Sequence, residues 1–267
     1  MTGAPPRFID LHLHAEGLSD ADLKTLSMFG LVAAVTCAHD QPVSSAEELR
    51  RHWDELVTLQ AQRLKAQNIR PLVALAVHPA RIPWHGVDDL LHRLPRYFDD
   101  PRVVALGELG LQEGGEREEE ILLRQLQLAA QLKKPAIVHT PEREKLQKTK
   151  RILALLKESK LDPGRVLVDH VSEETYPLVR GLGCWAGLTV QPESLDVRAA
   201  AALVSRNGAE RTVLTSDLGE GASDLLALPR GAEELRAAGL SGKLSARVLL
   251  EGPLAFLGYG LVSDFLH

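Results

Sequence analysis

Val103-Val104-Ala105-Leu106, then Glu116 to Lys133, then Ala136-Ile137-Val138: the reading of this stretch decides the fold. Its first and last pieces are short, apolar and rich in β-branched residues, the pattern of strands covered on both faces. Between them lies a segment with an acidic start, a long apolar stripe and Lys133-Lys134 at its end. Those charges suit both ends of a helix macrodipole. Strand, helix, strand in that order is the repeating unit of a parallel sheet.

The same rhythm runs along the chain in both directions. Upstream, Phe8 to His12 precedes a helix capped by Ser19-Asp20 and running towards Gly30. Leu31 to Cys37 precedes a long helix opened by Ser44-Ser45 and reaching about Asn68, and Pro71 to Val77 precedes a helix from about Val87 to Phe98. Downstream of Ala136 to Val138 a helix spans roughly Arg143 to Ser159. Val166 to Val168 leads to a short helix from Glu173 to Leu182, and Cys184 to Val190 to an Ala-rich helix from Asp196 to Asn207. Thr212 to Thr215 is the eighth run, with C-terminal helices near Glu233 to Ala238 and Ala246 to Leu257. Eight strand–helix units in 267 residues match the roughly 250 residues of one (β/α)₈ TIM barrel. An open doubly wound sheet is the competing α/β architecture, but it uses fewer units. The expectation is one barrel domain over residues 1–267, with its site at the C-terminal ends of the strands.

Composition narrows the classes. Hydrophobic residues make up 45% and charged residues 25%, which excludes disordered, collagen-like and disulfide-scaffold chains. With 31 Lys and Arg against 36 Asp and Glu the net charge is −5, too mildly acidic to set up a field that gathers nucleic acid. Any such role must come from a local site. Aromatics are 4%, too few for a stacking platform along a single strand. Cys37 and Cys184 are expected as buried, reduced thiols. No segment approaches 18 uncharged apolar residues and the N-terminus lacks a signal-peptide core, so a soluble, cytoplasmic protein without a membrane span is expected.

Six polar residues stand where five of the runs stop: His12 and His14, Glu108, His139, His170 and Asp217. Catalytic groups of a barrel come from the ends of several strands, so this distribution is informative. Residues two apart on a strand point the same way, and His12 and His14 could therefore bind one ion in the mouth. Glu108, flanked by Gly107 and Gly110, could bridge two ions. Asp217 could bind metal and take the proton of an attacking water. Against each stands a plainer reading, a hydrogen-bonded core histidine or a capping carboxylate. Imidazoles with carboxylates suit Zn²⁺, Mn²⁺, Fe²⁺ or Co²⁺, with Mg²⁺ also open.

Asp10-Leu11-His12-Leu13-His14, Val77-His78-Pro79, Leu106-Gly107-Glu108-Leu109-Gly110-Leu111, Val138-His139-Thr140, Val168-Asp169-His170 and Thr215-Ser216-Asp217 resemble the TatD-like metal-dependent hydrolases of the amidohydrolase superfamily. The resemblance covers nearly the whole chain in order. It implies a (β/α)₈ barrel with two divalent ions, one held by His12, His14, Glu108 and Asp217, the other by Glu108, His139 and His170. It also implies hydrolysis by metal-activated water, with Glu108 and Asp217 catalytic, acting on a small-molecule or nucleic-acid phosphoester, deoxyribonuclease activity included. An amide or lactone hydrolase with the same site, or a metal-binding barrel without turnover, are the alternatives. No Lys ends the fourth run, so the carboxylated lysine of other superfamily branches is not expected.

The chain departs from the family's pattern at Gln112 (commonly Asp), Pro141 (commonly Arg), Gly219 (often Pro) and Glu251-Gly252-Pro253 (typically Asn-Ala). These positions shape the substrate pocket. His78, His39 and Arg143 are candidates for substrate contact. His52, His85, His92 and His267 are expected to be solvated, as are the Arg50-Arg51 and Lys148–Arg151 clusters. Trp84 and Trp185 are expected to pack.

Overall fold

The structure is a computed structural model that describes residues 7–39, 45–191, 194–221, 223–238 and 242–258. The stretch ahead of Arg7, Ser44 and His267 therefore lie outside the described residues. Eight strands form one parallel sheet in sequence order: β1 (Phe8–Leu13), β2 (Leu31–Cys37), β3 (Arg70–Ala74), β4 (Val103–Gly110), β5 (Ala136–His139), β6 (Val166–Val168), β7 (Trp185–Thr189) and β8 (Thr212–Thr215). The first and last strands meet just past their ends. There the Asp217 amide donates to the His12 carbonyl at 2.9 Å, the His14 amide donates to the Leu218 carbonyl at 2.6 Å, and Leu13 bridges Leu218 in parallel. This seam brings the His12–His14 and Asp217 segments side by side. The fold is the expected TIM barrel.

Helices fill the connections: α1 (Asp20–Met28), α2 (Ala46–Glu55), α3 (Ala61–Ala66), α4 (Val87–Arg93), α5 (Glu116–Leu132), α6 (Lys145–Ser159), α7 (Tyr176–Leu182), α8 (Val197–Asn207), α9 (Ala227–Ala237), α10 (Gly242–Ala246) and α11 (Gly252–Leu257). Ser19 and Ser45 each cap the following helix in a reciprocal box, with Asp22 and Glu48 returning the bond. Consecutive strand residues divide between two apolar layers, as the period of two requires. Val73, Val138, Val168 and Leu214 join helix residues such as Leu64, Leu126, Leu156 and Val204 in the outer layer. Leu72, Ile137, Leu167 and Val213 join Leu254, Phe256 and Leu257 of α11 in the inner one. Trp185, at the start of β7, meets the Phe256 ring at 6.0 Å, so α11 closes the N-terminal end of the barrel.

Several expectations need correction. The long second helix is broken by a π-turn, Leu56–Gln60, between α2 and α3. The fourth helix stops at Arg93, and Leu94–Asp99 continues as a 3₁₀ segment because Pro95 has no amide for the α-ladder. β4 does not stop at Leu106. It runs on through Glu108 to Gly110, where a Cβ would fall 2.3 Å from the His139 carbonyl oxygen, so the glycine marks close strand approach rather than an end. α7 begins at Tyr176 rather than Glu173, and α9 is longer than expected. Trp84 does not pack: it is 80% exposed, with the Arg117 guanidinium 5.1 Å from its ring. His52 is buried rather than solvated. Lys148 is buried too, because its stem passes Gly114 and its ammonium donates to the Gln112 carbonyl at 2.7 Å. Both cysteines are buried free thiols, as expected. Among the described residues no helix is long and apolar enough to cross a membrane.

Candidate metal centre

The six residues from five strand ends converge at the open mouth. His12 and His14 come from β1 and the residue after it, Glu108 from β4 and His139 from the end of β5. His170 and Asp217 each sit two residues past β6 and β8. The last two adopt left-handed backbone, with φ of 55° and 53°, which turns their side chains inward where an extended strand would carry them past. Non-glycine residues take that conformation at a cost and are concentrated at functional sites.

Glu108 is the centre. Its Oε2 lies 3.1 Å from His12 Nε2 and 3.8 Å from His14 Nε2. Its Oε1 lies 3.0 Å from His139 Nδ1 and 3.3 Å from His170 Nε2. Asp217 Oδ1 is 3.0 Å from His14 Nε2 and 3.4 Å from His12 Nε2, while its Oδ2 is 4.0 Å from His170 Nδ1. Each of the four imidazoles is held through its other nitrogen. His12 Nδ1 donates to Asp169 Oδ2 at 2.7 Å, His14 Nδ1 to the Cys37 carbonyl at 3.2 Å, and His139 Nε2 to Gln112 Oε1 at 3.0 Å. The Thr189 hydroxyl donates to Asp169 Oδ1 at 3.0 Å and so accepts from His170 Nδ1 at 2.9 Å. Every ring therefore has its second nitrogen facing Glu108 or Asp217, where it hydrogen-bonds a carboxylate and, once that proton leaves, offers its lone pair to a cation. That is the arrangement in which an outer hydrogen bond fixes a ligand's tautomer and orientation.

The electrostatics favour positive charge. Burial alone would raise the Glu108 carboxyl, but the His12 charge and hydrogen bonds from His12, His139 and His170 hold it well below the usual range. Asp217 is lowered against its burial by His12, His14 and His170. Burial opposes protonation of His14, yet Asp217 lifts it to about 8. Among the described residues, four trios could each hold a cation: His12, His14 and Asp217; His12, Glu108 and His170; His78, Glu108 and His139; and His14, His39 and Glu220. The donor set, imidazole nitrogens with carboxylate oxygens, fits borderline divalent ions. A cavity of about 350 Å³ opens outward from His139, His170 and Asp217 and is also lined by Thr140, Glu142, Gln191, Ser194 and Glu220.

The substrate candidates fall at different depths. His78 is buried with its ring 5.2 Å from that of His139, and burial pushes it down to about 3, so it is neutral. Its Nδ1 accepts from the Ala80 amide at 3.3 Å, leaving an Nε2–H. His39 is buried against His14, with ring centroids 4.1 Å apart, and against Glu16. Arg143 is exposed on the turn before α6, next to the cavity residue Glu142. Sequence reasoning missed Asp169, which supports two histidines at once. Its place directly before His170 was the available signal. It also missed Thr189, the Cys37 carbonyl and the role of Gly219. Gly219 has φ of +98°, and a Cβ there would fall 2.0 Å from the His14 carbonyl oxygen, which Pro or any larger residue would contest.

The TatD related DNase family model matches residues 9–217. An uncharacterised metal-dependent hydrolase of Methanocaldococcus jannaschii is 37% identical over 223 residues, which is 83% of this chain and 88% of that protein. The crystal structure of a TatD-like protein from Archaeoglobus fulgidus superposes with a TM-score of 0.78 at 29% identity, covering 94% of this chain and 99% of that one. A TatD homologue from Escherichia coli shares the fold with a TM-score of 0.70 at 22% identity, over 94% and 98% of the two chains. The match takes in every strand of the barrel and reaches Asp217 of the mouth, and the chain belongs to the TatD family of metal-dependent hydrolases.

Proposed function

We propose that the mouth holds two divalent cations, one on His12, His14 and Asp217, the other on His139 and His170, with Glu108 shared between them, and that the protein hydrolyses phosphoesters, nucleic acid among them. One observation carries this reading. Glu108 divides its two oxygens between two histidine pairs, Oε2 towards His12 and His14 and Oε1 towards His139 and His170. A carboxylate shared in that way is what a two-ion site needs to offset its charge. When bound, such ions polarise the scissile group, stabilise its developing charge and lower the pKa of water to about 7.

The remaining chemistry belongs to the side chains. Asp217 is the most exposed carboxylate of the set, with 23% of its side chain accessible, and it lines the cavity. It accepts the proton of the attacking water, a step worth about 10²–10⁴-fold. His78, neutral and carrying its proton on Nε2, donates to a substrate oxygen. Asp169 and Gln112 hold the rings of His12 and His139 against rotation. The choice of phosphoesters rests on the family's description as DNases. The test is hydrolysis of an oligodeoxynucleotide, a phosphodiester, a phosphomonoester, an amide and a lactone, before chelation, after it, and after Zn²⁺ or Mn²⁺ is restored. Phosphoester cleavage that is lost and regained supports the reading. Turnover of amide or lactone alone would replace it.

A further inference from the structure

Between β4 and α5 the chain carries a carboxylate, Glu118, that has no part in the ligand set. Gly115 precedes α5 and offers no side-chain cap, and Glu118 is the third residue of the helix. In a capping box such a carboxylate returns to the amide of the residue ahead of the helix. Glu118 reaches past it. Its Oε2 accepts from three consecutive amides, Gln112 at 2.6 Å, Glu113 at 3.1 Å and Gly114 at 3.0 Å, and its Oε1 accepts from Glu113 at 3.1 Å. The turn that aims these amides at one carboxylate needs Gly114, whose φ is +87°. From the other side the Lys148 ammonium, with 7% of its side chain accessible, donates to the Gln112 carbonyl at 2.7 Å. Both peptide groups of Gln112 are thus gripped by charged groups, through bonds roughly twice as strong as neutral ones. The gripped residue in turn holds a ring of the mouth. Gln112 Oε1 accepts from His139 Nε2 at 3.0 Å, while His139 Nδ1 faces Glu108 Oε1 at 3.0 Å.

We infer, on the reading above that His139 holds a cation, that Glu118 and Lys148 are positioning residues for that ligand and act on it through Gln112. Gln112 stands where the family commonly has Asp, and its side chain is one methylene longer. A longer arm adds a rotatable bond, and each free rotor lowers the fraction of time the acceptor spends at the ring. Its neutral oxygen also draws the ring proton less strongly than a carboxylate would. His139 is therefore held by the direction of Gln112 more than by charge, and that direction depends on where the backbone is fixed. Glu118 and Lys148 fix it at both peptide groups. The outer hydrogen bond then sets the orientation of the ring and turns Nδ1 to the cation. Because the two charged groups work in series with Gln112, losing Glu118 matters to His139 only while Gln112 is present.

The experiment is a calorimetric titration of chelator-stripped protein with Co²⁺. The ion that His139→Ala abolishes is weakened about tenfold or more by Glu118→Ala and by Gln112→Ala. The double variant loses no more than Gln112→Ala alone, and the ion that His14→Ala abolishes keeps its affinity. Glu118→Gln, which retains one oxygen for the amides, restores most of the loss. Lys148→Met gives the same direction of change and serves if Glu118→Ala fails to fold, as judged by circular dichroism. A second readout needs no metal. In chelator-stripped protein labelled with ¹⁵N-histidine, the His139 Nε2 proton exchanges with solvent faster in Glu118→Ala and Gln112→Ala than in the wild type. If no ion depends on His139 but this exchange still responds to Glu118, the proposed function falls and the positioning role stands. Unchanged affinity and unchanged exchange in Glu118→Ala and Lys148→Met overturn the role. So does an additive loss in the double variant, or equal weakening of both ions, either of which would make Glu118 a support of the fold alone.

Discussion

Replacing Asp169 by Asn removes one charge and changes almost no volume, yet the surrounding bonds dictate a specific failure. Asp169 Oδ1 accepts from the Thr189 and Thr215 hydroxyls at 3.0 and 2.8 Å and from the His170 amide at 2.9 Å. Hydroxyls can turn round, but the backbone N–H cannot. The Asn NH₂ is therefore driven to the Oδ2 position, 2.7 Å from His12 Nδ1. Facing a donor, Nδ1 must become the acceptor, and the ring proton moves to Nε2, which points at Glu108 Oε2 from 3.1 Å. His12 then donates to Glu108 and has no lone pair for a cation. Losing a supporting carboxylate of this kind typically weakens metal affinity 10–100-fold. Because the tautomer is reversed here, the expected effect is the upper end, about 100-fold or 2.8 kcal/mol. The buried charge-assisted bond adds a stability loss of about 1–2 kcal/mol. Chelator competition on folded Asp169→Asn measures the first and chemical denaturation the second. Wild-type affinity in the folded variant would refute the tautomer argument.

Glu108→Gln keeps the volume but removes the charge between the two histidine pairs, so elemental analysis should show at least one ion lost from the mouth while circular dichroism stays native. Asp217→Asn keeps one oxygen for a ligand but cannot take a proton, and kcat should fall at least about 10²-fold with metal content near wild type. Were Asp217 only a cap for the following turn, Asn would serve nearly as well and activity would survive. His52 bears on acid stability of the metal-free protein. Burial lowers it from 6.5 to about 4, so between those values the unfolded chain binds a proton that the native state refuses. Stability from this group is complete above about 6.5 and is lost as pH falls towards 4. Denaturation of wild type and His52→Gln at pH 7 and pH 4 should show the wild type losing up to about 3 kcal/mol more. Equal losses would mean that the ring is accessible to protons in the native state.

The barrel was legible because parallel strands covered on both faces must be apolar throughout, and runs such as Ala136 to Val138 show this without any knowledge of the third dimension. The convergence of six polar residues followed from the same pattern, since each stands where an apolar run stops. What failed to show was contact between distant segments. Asp169 and His12 are 157 residues apart, and nothing local distinguishes a carboxylate that supports a ring from one that faces solvent. His52 reads as an ordinary polar residue of α2, but its turn of the helix faces Glu16 and His39, and burial on a helix depends on what packs against it. Lys148 was misread for a related reason: a long apolar stem lets an ammonium reach Gln112 from a buried position. Gly110 beside Glu108 suggested room for a close backbone approach, and the His139 carbonyl makes that approach.

The most direct test of a two-ion mouth is anomalous diffraction at the absorption edge of the metal found in chelator-free protein. Two peaks are expected on opposite sides of the Glu108 carboxylate, one in contact with His12, His14 and Asp217 and the other with His139 and His170. A single peak that Glu108 does not touch, or no peak among these six residues in protein that carries metal, would contradict the account.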